Sequence, residues 1–254
     1  MLLPQPHPGR WELHGRLLGA EFRIRPLFWV SCVLVGVIYY QDPRAGGLAA
    51  FCFWLAAVLT SFVVHELGHV LVARFFGVVP HVVLSGLGGQ VYGLDQLTRG
   101  RRVLVLLAGL LGNLLILALL WAVTAYPSVL GQLDEDQLSF VGNAVEMLML
   151  ANALWVLLNV LPLWPLDGGR IAVEIGETLL GRRGRTVALL LSLLVCVLMT
   201  IYVLAWMRLN LTNRFDERYR VHLIFFGVMS LYCYAFWLTT FRALWGEEDD
   251  KVTR

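Results

Sequence analysis

Residues 61–70 of this chain read Ser-Phe-Val-Val-His-Glu-Leu-Gly-His-Val, and they lie deep inside an apolar run. Between residues 48 and 73 the only Asp, Glu, His, Lys or Arg side chains are His65, Glu66 and His69. Residues four apart on a helix share a face, so the two histidines can hold one metal ion, and Glu66 can reach a water bound to it. A charge at the membrane centre costs about 2.5–3.5 kcal/mol on insertion scales, which argues against chance placement. The stretch therefore predicts a metal site inside a membrane-spanning helix.

The composition is that of a polytopic membrane protein. The 254 residues are 58% hydrophobic and 15% charged, whereas a soluble domain is about 45–50% apolar and about 25% charged. The four cysteines lack zinc-ligand or Cys-x-x-Cys spacing, so we expect core thiols rather than disulfides. The chain has no long basic tract of the kind that would indicate a nucleic-acid partner. The N-terminus lacks the layout of a cleaved signal peptide, which predicts that the first span stays in the membrane.

Apolar segments predict an all-α polytopic membrane protein with about six transmembrane helices and a small membrane-associated β element beside the active site. The predicted spans are residues 27–40, 48–76, 103–126, 138–163, 186–206 and 222–244. The corresponding regions are an N-terminal lead (1–26), a catalytic membrane core (27–170), spans five and six with a short amphipathic segment (171–245) and a charged tail (246–254).

The distribution of basic residues predicts the orientation of the chain. With six spans, most of the 20 Lys and Arg residues fall on the side that both termini share. The positive-inside rule then places the termini and the metal site towards the cytoplasm. Five fall on the opposite side, and four of these precede the sixth span: Arg208, Arg214, Arg218 and Arg220.

Two segments have the pattern of β-strands near the membrane surface. Apolar and Arg residues alternate over residues 22–25, which favours a short strand, with a juxtamembrane tether as the alternative. Residues 78–93 combine β-branched residues, a glycine-rich turn and a returning segment, so we predict a hairpin or re-entrant element; the alternative is a surface loop. An edge strand near residues 82–84 would offer backbone hydrogen bonds to an unwound substrate.

One carboxylate stands out as a third metal ligand. A catalytic zinc usually has three protein ligands and an open position. Asp167 is the best candidate, because Pro162 and Pro165 break the fourth span just before it, on the same side as the histidines. Glu66 would act as the general base towards water, and Asn159 would help to stabilise the oxyanion. The predicted reaction is metal-assisted amide hydrolysis.

Other polar residues are open to more than one interpretation. His81 is either a further ligand or a hydrogen-bonded loop residue. Glu146 is either an internal hydrogen-bonding group, which we favour, or the mark of a water-filled access route. Residues 171–180 can form a short amphipathic helix on which Glu174 and Glu177 face water.

Small and amide residues predict close helix packing in the third and fourth spans. Gly109 and Gly112 allow another helix to approach. Asn113 is an amide that can bridge helices, and Asn152 and Asn159 are seven residues apart on one helix face.

The two metal-site segments resemble the site-2 proteases, a family of intramembrane zinc metalloproteases. The similarity rests on His-Glu-Leu-Gly-His at residues 65–69 and Asn-x-x-Pro-x-x-Pro-Leu-Asp-Gly at residues 159–168, with further matches at residues 15–26, 87–89 and 108–113. It implies one Zn²⁺ per chain on His65, His69 and Asp167, with Glu66 as the base. It also implies that a substrate strand pairs near the β element. Leu110 stands where the family often has proline, which is a variation in packing.

The layout is similar to a compact six-span branch of the family, which includes a sporulation-factor-processing protease. This resemblance implies a membrane protein or membrane-associated peptide as substrate, in the lipid bilayer of a bacterial plasma (inner) membrane. The alternatives are an intramembrane metal transporter, since buried ionisable residues can mark an ion path, and a catalytically silent binding protein of the same fold. A transporter should have polar residues across the whole membrane, and a silent protein usually lacks a ligand or the base.

Overall fold

The computed structural model describes residues 11–41, 47–86, 88–125, 134–211, 230 and 233–244. The strands are β1 (Leu13–Leu17), β2 (Ala20–Ile24), β3 (His81–Ser85) and β4 (Gly88–Tyr92). The helices are α1 (Pro26–Gln41), α2 (Leu48–Phe75), α3 (Arg99–Ala125), α4 (Glu135–Val160), α5 (Asp167–Leu180) and α6 (Arg182–Leu211). Residues 233–244 are also helical.

Four of the described helices are long and apolar enough to cross a membrane. They are Leu48–Phe75, Arg99–Ala125, Phe140–Val160 and Arg182–Ala205, which correspond to predicted spans two to five. The predicted first span is α1, whose 16 residues fall short of the roughly 20 that a bilayer core requires. The predicted sixth span lies partly outside the described residues, as do the start of the lead and the charged tail. The mostly helical membrane fold is thus confirmed, and the count of six stays a prediction.

Contacts divide the chain into two compact units, Met1–Leu94 with Leu107–Leu157, and Asp95–Leu106 with Leu158–Arg254. The first unit holds the β-strands, α1, α2 and most of α3 and α4. The second holds the start of α3, α5, α6 and the helical residues 233–244.

The first unit contains a four-stranded sheet in the order β1-β2-β3-β4. The β1–β2 and β3–β4 pairs are antiparallel hairpins, and β2 and β3 are parallel. In the first hairpin Leu18 and Gly19 both have positive φ, at 51° and 78°, as a type I′ turn requires. The strand at residues 22–25 and the hairpin within residues 78–93 are confirmed. β1 was not predicted, because all five of its side chains are exposed and no buried face imposes an alternating pattern.

The prediction of an edge strand at residues 82–84 is wrong, since β3 lies between β2 and β4. The two edge strands are β1 and β4. The amide of Arg25 donates to the carbonyl of Leu84 at 2.9 Å, so the backbone polar groups of Leu84 face β2. Gly89 is the antiparallel partner of Leu84. Because the backbone polar groups of Leu84 face β2, Leu84 and Gly89 form a non-hydrogen-bonded pair, in which the N–H and C=O of each residue point away from the other strand. The N–H and C=O of Gly89 therefore face the outer edge of the sheet.

Helix α2 has one buried stripe, and that stripe contains the metal-binding sequence. Its buried residues are Ala50, Trp54, Ala57, Val58, Ser61, His65, Glu66, His69, Val70 and Ala73. A Cβ placed on Gly68 would lie 2.3 Å from the carbonyl oxygen of Ala108, and one on Gly112 would lie 3.0 Å from that of Val64. Helices α2 and α3 thus approach closely where small residues permit it, which confirms the packing predicted for α3.

In the second unit α5 is held by ion pairs, contrary to the expectation that its glutamates face water. Glu174 is buried, and its two carboxylate oxygens accept hydrogen bonds from Nε and Nη2 of Arg102 at 2.7 and 2.8 Å. Glu177 lies 3.0 Å from Arg99. The amphipathic helix is confirmed. Its glutamates do not face water, because the guanidinium of Arg102 binds both carboxylate oxygens of Glu174 and so allows protein to cover this face.

Candidate metal centre

His65 and His69 lie one turn apart on α2, and both are buried. Their Nε2 atoms are 3.1 Å apart. Two nitrogen ligands at about 2.0–2.1 Å from a tetrahedral zinc ion would lie roughly 3.4 Å apart, so the pair is close to that spacing. A Cβ on Gly109 of α3 would lie 2.4 Å from Nε2 of His69 and 2.9 Å from Cε1 of His65. The absence of a side chain at Gly109 is therefore what leaves room for the two imidazoles.

Asp167 is buried at the first position of α5, after an irregular turn that follows α4. The turn contains a cis peptide bond between Trp164 and Pro165. The backbone amide of Trp164 donates to Oγ of Ser192 at 2.8 Å, which satisfies a buried donor in the broken segment. A Cβ on Gly168 would lie 2.2 Å from a carbonyl oxygen of the same turn. The prolines and glycines predicted to break the span thus build the turn that carries Asp167.

The structure brings the three predicted ligands together. One potential ligand atom from each of His65, His69 and Asp167 lies within 4.8 Å of the other two, and all three residues are buried. In the described part of the chain this is the only such group of three or more His, Cys, Asp or Glu residues. Two imidazoles and one carboxylate are ligands that zinc accepts, with a fourth position left for water. The donor set therefore fits a catalytic zinc ion.

Glu66 is fully buried and lies against β4. A Cβ placed on Gly89 would lie 1.7 Å from Oε1 of Glu66 and 2.4 Å from its Cδ. The carboxylate therefore occupies the space that a side chain on β4 would otherwise fill. Gly89 is also the residue whose backbone groups face the outer edge, so this edge of the sheet passes directly beside the predicted base.

Asn159 is buried near the end of α4, and its Oδ1 accepts a long hydrogen bond of 3.4 Å from the backbone amide of Asp167. This contact links Asn159 to the predicted ligand across the turn. Its role at an oxyanion stays a prediction. The side chain is oriented with Oδ1 towards Asp167, so Nδ2, which can only donate, is on the other side of the amide.

Neither His81 nor Glu146 belongs to the group of metal-ligand residues. His81 begins β3, and its Nδ1 is 3.3 Å from the carboxylate of Glu21 on the neighbouring strand. It is therefore a partly exposed strand residue, outside the metal-ligand group. Glu146 is exposed on α4, which contradicts the internal hydrogen-bonding role that we favoured for it.

Two residues beside His65 were not predicted as part of the site. Asn113, predicted only as a helix-bridging amide, has its Oδ1 2.7 Å from Nδ1 of His65. Trp155 was not identified at all, although its ring lies 5.9 Å from the imidazole of His65 and 4.1 Å from the ring of Phe62. The only sequence feature that could have indicated Trp155 is its spacing: it follows Asn152 by three residues and therefore lies on the same helix face.

Known proteins are similar to this chain in sequence and in fold. No protein-family model matches the chain. Stage IV sporulation protein FB of Bacillus subtilis (strain 168) is 25% identical over 225 residues, which are 81% of this chain and 69% of that protein. The structure of the site-2 protease from Methanocaldococcus jannaschii has a TM-score of 0.59 at 18% identity and covers 89% of this chain and 95% of its own. The chain is thus similar in sequence to this sporulation protein, and it shares the fold of the site-2 protease.

Proposed function

We propose that this chain is an intramembrane zinc metalloprotease that cleaves a peptide bond within or near a membrane-spanning segment of its substrate. The observation that carries the proposal is the group formed by His65, His69 and Asp167, whose ligand atoms lie within 4.8 Å of one another. The two histidines lie on a span-length helix that also carries the buried Glu66. These three residues would hold the zinc ion. Zinc, when bound, lowers the pKa of water to about 7 and polarises a carbonyl.

The proton transfers are assigned to Glu66. It is the one acidic residue next to the histidines in sequence, and it is fully buried. Its carboxylate would take the proton from the attacking water and later pass it to the leaving amine. Asn159 would donate from Nδ2 to the oxyanion that forms on the substrate carbonyl, since its Oδ1 already faces the amide of Asp167.

The substrate would bind along β4. A helical segment has its carbonyls tied in backbone hydrogen bonds and must unwind before water can attack one of them. The outward-facing N–H and C=O of Gly89 can replace those bonds by strand addition. The same residue lies against Glu66, so a strand added here would pass beside the proposed base.

The test is Glu66→Gln, which keeps the shape of the side chain and removes the base. General bases contribute about 10²–10⁴-fold, so cleavage should fall by at least about 100-fold. Zinc content, measured by elemental mass spectrometry on the purified protein, should equal that of the parent. Because the substrate is unidentified, cleavage is followed in membrane proteomes as the accumulation of an uncleaved protein.

Glu146→Gln is the matched control, because it makes the same change at an exposed position on α4. It should leave both zinc content and the membrane proteome unchanged. Full cleavage by Glu66→Gln would refute the proposed mechanism. A parent protein that binds no zinc would refute the metalloprotease, and zinc flux in reconstituted vesicles would indicate a transporter instead.

A further inference from the structure

Behind His65 lies a buried hydrogen-bond network built from α2, α3 and α4. Nδ2 of Asn113 donates to Oδ1 of Asn152 at 2.7 Å and to the carbonyl oxygen and Oγ of Ser61 at 3.0 and 3.1 Å. Oγ of Ser61 donates to Oδ1 of Asn152 at 3.2 Å, and Nδ2 of Asn152 donates to the carbonyl oxygen of Leu148 at 2.7 Å. Oδ1 of Asn113 lies 2.7 Å from Nδ1 of His65. Ser61, Asn113 and Asn152 are all at most 1% exposed.

Two backbone carbonyls determine the direction of every bond in this network. A carbonyl can only accept, so the carbonyl of Leu148 requires the NH₂ group of Asn152 and leaves Oδ1 of Asn152 facing Asn113. That oxygen and the carbonyl of Ser61 both require the NH₂ group of Asn113. Oδ1 of Asn113 must then face His65, and because it can only accept, Nδ1 of His65 must be the donor.

The consequence for His65 is a defined tautomer. With the proton on Nδ1, a neutral imidazole has its lone pair on Nε2. Nε2 is the atom that lies 3.1 Å from Nε2 of His69. The network therefore presents the lone pair of His65 on the side where the proposed metal ligands converge.

We propose that Asn113 and Asn152 are positioning residues, which hold His65 in the Nδ1–H tautomer with Nε2 directed at the zinc site. This inference rests on the proposed zinc-dependent function. Asn113 acts on His65 directly, whereas Asn152 acts through Asn113 by accepting its hydrogen bond. Hydrogen-bond partners of metal-ligating histidines contribute about 10–100-fold to metal affinity.

The experiment compares Asn113→Leu and Asn152→Leu with the control Asn143→Leu, which makes the same change at an exposed position of α4. Zinc affinity is measured on purified protein by competition with a chelator. We expect a loss of about 10–100-fold for Asn113→Leu, about tenfold for Asn152→Leu and less than twofold for the control. Asn113→Asp keeps an oxygen acceptor for His65 and should recover part of the affinity that Asn113→Leu loses. Equal affinity in the parent and both Leu variants overturns the proposal, as does an equal loss in Asn113→Leu and Asn113→Asp.

A second readout needs no metal. The ring ¹⁵N shifts of His65 in the metal-free protein show which nitrogen carries the proton. We expect the Nδ1–H form in the parent and a shift towards Nε2–H in Asn113→Leu. An Nε2–H parent overturns the network, whatever its zinc affinity. An Nδ1–H parent that binds no zinc supports the network and refutes the proposed function, so the two failures are distinguishable.

Discussion

Adding one methyl group at Gly89 should disable the proposed base and leave the zinc ligands intact. The Cβ of Gly89→Ala would lie 1.7 Å from Oε1 of Glu66, and its three nearest atoms all belong to Glu66. An ordinary contact between carbon and another heavy atom is about 3.5 Å, so the carboxylate or β4 must move by more than about 1.5 Å. Oε1 is the end of a flexible side chain, and rotating it off its preferred conformation costs about 0.5–1.5 kcal/mol. The cheapest response is therefore displacement of the carboxylate within an intact fold.

That displacement translates into a large effect on rate. A misplacement of about 1 Å in a catalytic group can cost about 100-fold, which corresponds to about 2.7 kcal/mol in the activation free energy. We therefore expect Gly89→Ala to lower kcat/KM by about 100-fold or more, with zinc content and thermal stability near those of the parent.

The assay follows the membrane protein that accumulates with Glu66→Gln, with purified enzyme in detergent and zinc content measured on the same samples. Gly15→Ala is the control, because Gly15 lies in β1 of the same sheet and a Cβ there would meet nothing within 4 Å. It should retain parent activity. If Gly89→Ala stays within about threefold of the parent, or loses its zinc as well, the argument that β4 places only the base is refuted.

Gly109→Ala should lower zinc content together with activity, because its Cβ would lie 2.4 Å from Nε2 of His69 and would displace a ligand. Retention of zinc by this variant would contradict the packing described for α2 and α3. If the substrate adds to β4, Gln90→Cys in a Glu66→Gln background should form a cross-link to the trapped substrate. His14→Cys, on β1 at the opposite edge of the sheet, should form none. Equal cross-linking at both positions would refute β4 as the strand to which the substrate binds.

Local sequence patterns were enough to locate the candidate ligands. His65 and His69 are related by helical spacing alone, and any helix over this stretch puts them on one face. Asp167 was identified because prolines and glycines around it exclude a regular helix whatever the rest of the chain does. Both inferences depend on backbone geometry within about ten residues, which is why they could be made without the fold.

Strand pairing could not be obtained in the same way. Residues 78–93 were predicted as a hairpin, but β3 was expected to be at the edge. Its true position between β2 and β4 depends on a parallel pairing across nearly sixty residues of chain, Glu21 with His81. No local pattern encodes a partner at that separation, and β1, with its exposed side chains, carried too little apolar periodicity to be recognised.

The partners of buried polar groups also required the tertiary structure. Glu174 reads as a solvent-facing residue on an amphipathic helix, and only the approach of Arg102 from α3 makes it a buried ion pair. From the sequence, Asn113 is predicted only as an amide that bridges helices. The structure puts its Oδ1 2.7 Å from Nδ1 of His65, which identifies it as a hydrogen-bond partner of that histidine.

The sequence by itself determined that the chain is a membrane protein, which residues are its candidate metal ligands, and which glutamate stands beside them. These properties follow from hydropathy, helical period and backbone-breaking residues, all of which act locally. Only the tertiary structure decided that ligand atoms of His65, His69 and Asp167 lie within 4.8 Å of one another, that β4 forms the outer strand over Glu66, and that a chain of amides orients His65. Those depend on contacts between residues far apart in the chain, and the free energy of such contacts appears only when the elements pack.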